Sequence, residues 1–210
     1  MNKTSLRSLT ILLFLAAGCA SKGAPPALYD FGPLNMDASS ATAASTAAAA
    51  PSTSPASLVV ADANGPAWLD NERMYYRLLY ADAQQSRPYA QNRWASAPLQ
   101  LLTQRLKSRI AQAGVKVLSA SDAAAGVDLL RIEVDDFSQN FDSVAQSSGQ
   151  VTLRASLLRG HRLVDQKTFS RNARAGSADA PGGARALAAA TDAVAGDILA
   201  WLGSLPAARE

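Results

Sequence analysis

The chain has 210 residues, 48% of them hydrophobic, and a formal net charge of +3 from 20 Lys and Arg against 17 Asp and Glu. That length suits one domain with a sizeable core. No dense basic patch of the kind a nucleic-acid binder presents is evident, and a single Cys with a single His excludes an intrachain disulfide framework and the usual Cys/His metal sets.

The N-terminus reads as an export signal. Lys3 and Arg7 precede an apolar run from Leu9 to Ala17, and Ala16-Ala17-Gly18 leads into Cys19. A basic region, a short apolar region and small residues before a cut site are the parts of a secretory signal. The run is far shorter than the roughly 20 residues a membrane-spanning helix needs. Leu15-Ala16-Ala17-Gly18-Cys19 resembles a lipobox, with Ala16 standing where Leu is usual. The resemblance implies cleavage after residue 18 and lipidation of Cys19. That would leave 192 residues (210 minus 18) with a formal charge near +1, since Lys3 and Arg7 go with the signal. Two or more acyl chains anchor a protein stably where one binds only marginally. Ala20 stands where an inner-membrane lipoprotein usually carries Asp, which implies an outer-membrane anchor on the periplasmic side.

Residues 19–27 read as a lipidated tether and 28–34 as a candidate first strand. Residues 35–57 read as a flexible segment, because every residue from Ala38 to Ser57 is Ala, Ser, Thr or Pro. The folded domain is expected over 58–205. Leu58 to Ala61 reads as a buried strand, followed by an Asn64-Gly65-Pro66 turn. In Met74 to Tyr80, alternation places Met74, Tyr76, Leu78 and Tyr80 on one face. Ser96 is placed as a helix cap with Pro98 in the first turn. Leu99, Leu102, Leu106, Ile110 and Ala113 make the apolar stripe, and Gly114 ends it. Arg105, Lys107 and Arg109 avoid that stripe and are assigned to a solvated surface. Strands follow at Val115–Leu118 and Val127–Phe137, then a hairpin of Val151–Leu158 and Leu163–Ser170 turning near Arg159-Gly160-His161. Gly176 to Gly183 reads as a loop. A last helix from about Ala184 buries Leu187, Thr191, Val194, Ile198 and Trp201. No apolar segment beyond the signal is expected to reach membrane-spanning length. The expected fold is a two-layer α/β (α+β) domain: a mixed, largely antiparallel sheet with both amphipathic helices on one face.

No active site is evident. ATP hydrolysis is excluded by the absence of a phosphate-binding Gly-x-x-x-x-Gly-Lys-Ser/Thr loop. His161 is placed at a solvated turn. Glu133, Asp135 and Asp136 form an acidic cluster, in which Glu133 and Asp135 share a strand face with Arg131 and read as surface ion pairs. Gly182-Gly183 reads as the lead-in to the last helix. The informative cluster is aromatic and Arg-rich: Trp68, Tyr75, Tyr76, Arg77, Tyr80, Tyr89, Arg93 and Trp94. Trp, Tyr and Arg dominate binding hot spots. Tyr76 and Tyr80 are assigned to the core; Trp68, Tyr89, Arg93 and Trp94 are the candidate partner contacts.

On these residues the chain resembles the ABC-type transport auxiliary lipoproteins, a family that includes the lipoprotein of the paraquat-inducible Pqi systems. Trp68-Leu69-Asp70 with Met74 to Arg77 looks like its early strand segment. Asn92 to Pro98 looks like the Arg-Trp start of its helix. Leu130 to Phe137, continuing to Phe141-Asp142-Ser143, looks like its central strand. Ala180 to Gly183 and the helix ending Ala200-Trp201-Leu202 complete the order. Two departures stand out: Tyr29 to Pro33 matches the family's opening strand only loosely, and Ala38–Ser57 is an insertion. The resemblance implies a non-catalytic accessory with no cofactor and no bound metal. Its partners would be the membrane, through its lipid, and an MCE-domain periplasmic protein of an ABC system carrying lipids or other apolar molecules. A homo-oligomer is left open. Two other readings stand beside it: a direct lipid binder, which requires an apolar cavity between helices and sheet, and an envelope scaffold without a transport role.

Overall fold

The computed structural model describes residues 25–34, 56–122, 126–160 and 162–206. Cys19, His161 and residues 35–55 of the Ala/Ser/Thr/Pro stretch lie outside the described residues.

Strand β6 (Leu129–Ser143) pairs antiparallel with β7 (Gln146–Arg159), which pairs antiparallel with β8 (Arg162–Arg174). The other edge of β6 is divided. Its first part holds β2 (Ser57–Val60) in parallel, and β5 (Lys116–Leu118) lies parallel beyond β2. Its last part holds β3 (Arg73–Leu78) in parallel, then β4 (Asp82–Trp94) antiparallel to β3, then β1 (Ala27–Tyr29) parallel to β4. The sheet is therefore mixed: its long ladders are antiparallel and its parallel ladders are short.

The alternation of Leu130, Ile132 and Val134 buries those three side chains almost completely. Alternation alone would then turn Asp136 toward the core. A β-bulge at Asp135, where Val134 pairs with Leu153 and Asp136 with Thr152, resets the phase. Phe137, Gln139 and Phe141 then continue the buried face.

Two helices cover that face. Helix α1 (Pro98–Gln112) starts on Ala97 with no side-chain cap, so Ser96 is not the capping residue expected from the sequence; Pro98, whose missing N–H costs nothing in the first turn, marks the start. Its buried stripe is Leu101, Leu102, Leu106 and Ile110. Leu99 is only half-buried and Ala113 exposed. Helix α2 (Ala180–Ser204) begins four residues before the expected position because Asp179 caps it, accepting a hydrogen bond from Gly182 N at 2.8 Å. Leu187, Thr191, Val194, Ile198 and Trp201 are all buried, as their spacing implies. At 25 residues α2 is long and apolar enough to cross a membrane, contrary to the reading that no such segment follows the signal. Here it is a packed helix whose apolar face lies on β7 and β8.

The arrangement also corrects the first strand. β1 is Ala27–Tyr29, not 28–34. Because β1 is paired to β4, the Ala/Ser/Thr/Pro stretch lies in sequence between two strands of the same sheet, β1 and β2.

Candidate functional site

Arg105 and Arg109 stand one helical turn apart on α1, where the sequence pattern predicts a solvated surface. They turn inward instead. Arg105 is 8% exposed and donates from Nε and Nη2 to Asp192 of α2, both at 2.7 Å; Arg109 donates from Nε at 2.7 Å and Nη2 at 2.5 Å to the same carboxylate. Arg105 also reaches the Gly32 carbonyl at 3.1 Å, tying the segment after β1 to the helices. Burial pushes the Asp192 carboxyl up, but the hydrogen bonds and charges of Arg109 and Arg105 outweigh it and hold it below the ordinary value. Lys107, by contrast, pairs at 2.9 Å with an exposed Asp62.

A second polar group sits where α2 meets the sheet. Gln139, 1% exposed, donates from Nε2 to Ser147 Oγ at 2.9 Å and to the Asp179 carbonyl at 3.0 Å, and its Oε1 accepts from the Tyr89 hydroxyl at 3.0 Å. Burial raises the Tyr89 hydroxyl above its ordinary pKa, with Tyr76 and Asp179 adding to the effect. The helix approaches so closely that a Cβ on Gly149 would stand 2.5 Å from Leu187 N, and one on Gly183 would overlap Gln139 Oε1. The Gly pair 182–183 thus serves close packing. Its N–H groups are taken by Asp179, from Gly182 N to Oδ1 and from Gly183 N to the carbonyl.

The four candidate contact residues do not form one cluster. Trp94 is 1% exposed and packs among Phe31, at 5.8 Å between ring centroids, and Phe137, at 5.7 Å. It is a core side chain, which removes it from the contact set. Tyr89 is half-buried, packed at a tilt on Tyr76 with ring centroids 4.6 Å apart and held by Gln139, on the helix side of the sheet. Trp68 and Arg93 lie on the opposite side. Trp68 packs edge-on against Tyr75, whose side chain alternates with Tyr76 along β3. Arg93 stands directly across from Arg73 and so shares the face of Arg73 and Tyr75. Its Nη1 donates to the Tyr89 carbonyl at 2.7 Å. Tyr80, expected in the core, is 49% exposed at the β3–β4 turn.

The helix-free face of the sheet continues from these residues as a polar ladder. Gln150 Nε2 donates to Thr152 at 3.1 Å and to Ser170 at 2.8 Å, and Asn172 Nδ2 donates to Ser148 at 2.9 Å. Glu133 pairs across the strands with Arg154 at 2.7 Å, not with its strand neighbour Arg131. Asp136 accepts a long 3.3 Å bond from Ser138 while its other oxygen is buried without a partner. Among the described residues no group of three or more His, Cys, Asp and Glu is placed to hold a metal ion. Between helices and sheet the space is occupied by Leu102, Leu106, Ile110, Leu130, Ile132, Leu153, Leu187 and Ile198, each 0–2% exposed. A groove of about 590 Å³ beside α1 has a mixed lining, with Asp62, Asp70, Gln104 and Lys107 beside Ala63, Ala67 and Leu99.

Against known proteins, the model of the family described as "ABC-type transport auxiliary lipoprotein component" matches residues 39–199. No curated protein matches the chain. Among solved structures, a Xanthomonas campestris protein is similar at 21% identity and a TM-score of 0.63, covering 73% of this chain and 88% of its own. A second, uncharacterised protein is similar at 15% identity and 0.66, covering 85% and 99%. These two likenesses establish the fold.

Proposed function

Because the chain belongs to the family of ABC-type transport auxiliary lipoprotein components, we propose that it is an outer-membrane accessory, lipidated on Cys19, that docks a periplasmic MCE-domain protein of a system moving lipids or other apolar molecules. The family match over most of the folded domain carries this reading. Its chemistry is consistent with an accessory role. The two α2 carboxylates, Asp192 and Asp197, are engaged by arginines, and the layer between helices and sheet is filled by side chains, which weighs against a direct lipid carrier with an internal pocket.

Trp68 and Arg93 are the surface residues proposed to meet the partner. They share the helix-free face with Tyr75, and a half-buried Trp and Arg beside a polar ladder is the composition of a contact surface. Tyr89 contributes indirectly, by holding Arg93 through its carbonyl. A photo-crosslinker placed at Trp68 or Arg93 in cells should capture an MCE-domain protein. Crosslinks confined to other envelope proteins would favour a scaffold role without transport and overturn the docking reading. Cys19→Ser should move the chain from the membrane to the periplasmic fraction, and retention with unchanged lipid labelling would overturn the anchor.

A further inference from the structure

Turn positions usually hold Gly, Asn, Asp, Ser or Pro. Two turns of this sheet do not. The β3–β4 turn carries Leu79 and Tyr80, 41% and 49% exposed, and the β6–β7 turn carries Val144, 82% exposed. Single exposed apolar residues need no explanation, but these are neighbours in space. β3 runs parallel to β6 with Leu78 beside Phe141, and Leu79 N donates to the Phe141 carbonyl at 2.9 Å. Both turns therefore project from the same end of the sheet. At the opposite end lie the β7–β8 turn at Gly160 and the start of β6.

The direction of β1 indicates what this end meets. β1 is parallel to β4, with Ala27 beside Asn92, and β4 begins at the Leu79–Tyr80 turn. The chain therefore enters β1, through Pro25 and Pro26, from the side of that turn. Arg73 pairs with Arg93 at about the level of β1. From there seven residues of β3 and its turn lead to Tyr80, roughly 23 Å at about 3.3 Å per residue. Cys19 is eight residues before Ala27 (27 minus 19), so it reaches at most about 29 Å from it. The two lengths are nearly equal. A tether of this length is enough to let the Leu79, Tyr80 and Val144 end meet the bilayer that holds a lipid on Cys19, and too short to carry the domain far from it.

We propose that Leu79, Tyr80 and Val144 form a membrane-contact site that seats in the headgroup region of the phospholipid bilayer holding the Cys19 lipid. The inference rests on the anchor reading above. Leu79 and Val144 supply apolar surface at two adjacent tips, and Tyr80 has an apolar ring with a polar hydroxyl suited to the interface. The domain then stands with β6 rising from the membrane, so that its helix-free face, with Trp68 and Arg93, looks sideways along the bilayer.

The test uses the full lipidated chain. Cys19 is the only Cys, so after lipidation Val144→Cys offers a unique thiol for an environment-sensitive fluorophore. Leu163→Cys is the control: it is 59% exposed, equally apolar, and lies beside the β7–β8 turn at the far end. In vesicles of phosphatidylethanolamine and phosphatidylglycerol doped with lipids spin-labelled near the top of the acyl chain, the probe at 144 should shift to the blue. It should also be quenched several-fold more than the probe at 163. Flotation with vesicles but equal quenching at both positions overturns the contact site while leaving the anchor intact. Failure of the lipidated chain to float overturns the anchor reading and the contact site with it.

Discussion

Asp192→Ala is expected to be among the costliest single changes in the domain. The substitution removes four charge-assisted hydrogen bonds between α1 and α2 and leaves two guanidinium groups facing each other. Arg105, at 8% exposure, cannot turn out to water without giving up its bond to the Gly32 carbonyl, and Arg109 is only 13% exposed. Breaking a deeply buried charge pair costs about 3–5 kcal/mol. Asp192 retains 23% exposure, which admits some water, so the lower end, about 3 kcal/mol, is expected. For a domain of this size that corresponds to a fall in Tm of roughly 6–12 °C. Urea unfolding followed by both far-UV circular dichroism and Trp fluorescence should show a lower midpoint with an unchanged slope. The triple change Arg105→Met, Arg109→Met, Asp192→Leu should recover most of the loss, because it removes the stranded charges together with their partner. A cost below about 1 kcal/mol for Asp192→Ala would refute the view that this carboxylate clamps the two helices.

The same carboxylate sets an acid limit. Its folded pKa lies below its unfolded one, so the unfolded chain binds more protons in acid. Stability from Asp192 is full above the unfolded value near pH 4 and is lost as pH falls through the lower folded value. Asp192→Asn should flatten that part of a stability profile measured by urea melts, while Asp179, also held low by Ser177 and the Gly182 N–H, keeps its own share. Gly149→Ala should cost about 1–3 kcal/mol in a thermal melt, since its Cβ meets the α2 backbone and the helix itself must move. Tyr89→Phe, which leaves Gln139 Oε1 without a donor, should cost about 1–3 kcal/mol and alter near-UV circular dichroism, with α2 helicity unchanged.

Much of this fold is readable from local pattern. Leu130, Ile132 and Val134 alternate, Leu102, Leu106 and Ile110 recur at helical spacing, and Leu187 to Trp201 does the same; the structure buries all of them. Burial of an apolar face is a local requirement, so its period survives in the chain. The bulge at Asp135 is harder to see, because alternation simply changes phase there: the apolar residues on either side were visible, but the register that reconciles them belongs to the pairing with β7. The contact residues were least legible. Trp, Tyr and Arg serve cores and interfaces equally well, and one position separates Arg93 on the open face from Trp94 in the core.

By itself the sequence determined the two-layer class, both helices and the family resemblance, and it supplies the expectation of an export signal with a lipobox-like Cys19, since each depends on residue type at short, fixed spacing. Tertiary structure alone decided three matters that join distant parts of the chain. It turned Arg105 and Arg109 inward, because Asp192, more than 80 residues away, stands opposite them. It placed the first strand, because β1 pairs with β4 before the Ala/Ser/Thr/Pro stretch begins. It also gathered Leu79, Tyr80 and Val144 at one end of the sheet, since parallel pairing of β3 and β6 aligns turns that lie far apart in sequence. A periodic pattern records which way a side chain faces; only the packed sheet supplies what it faces.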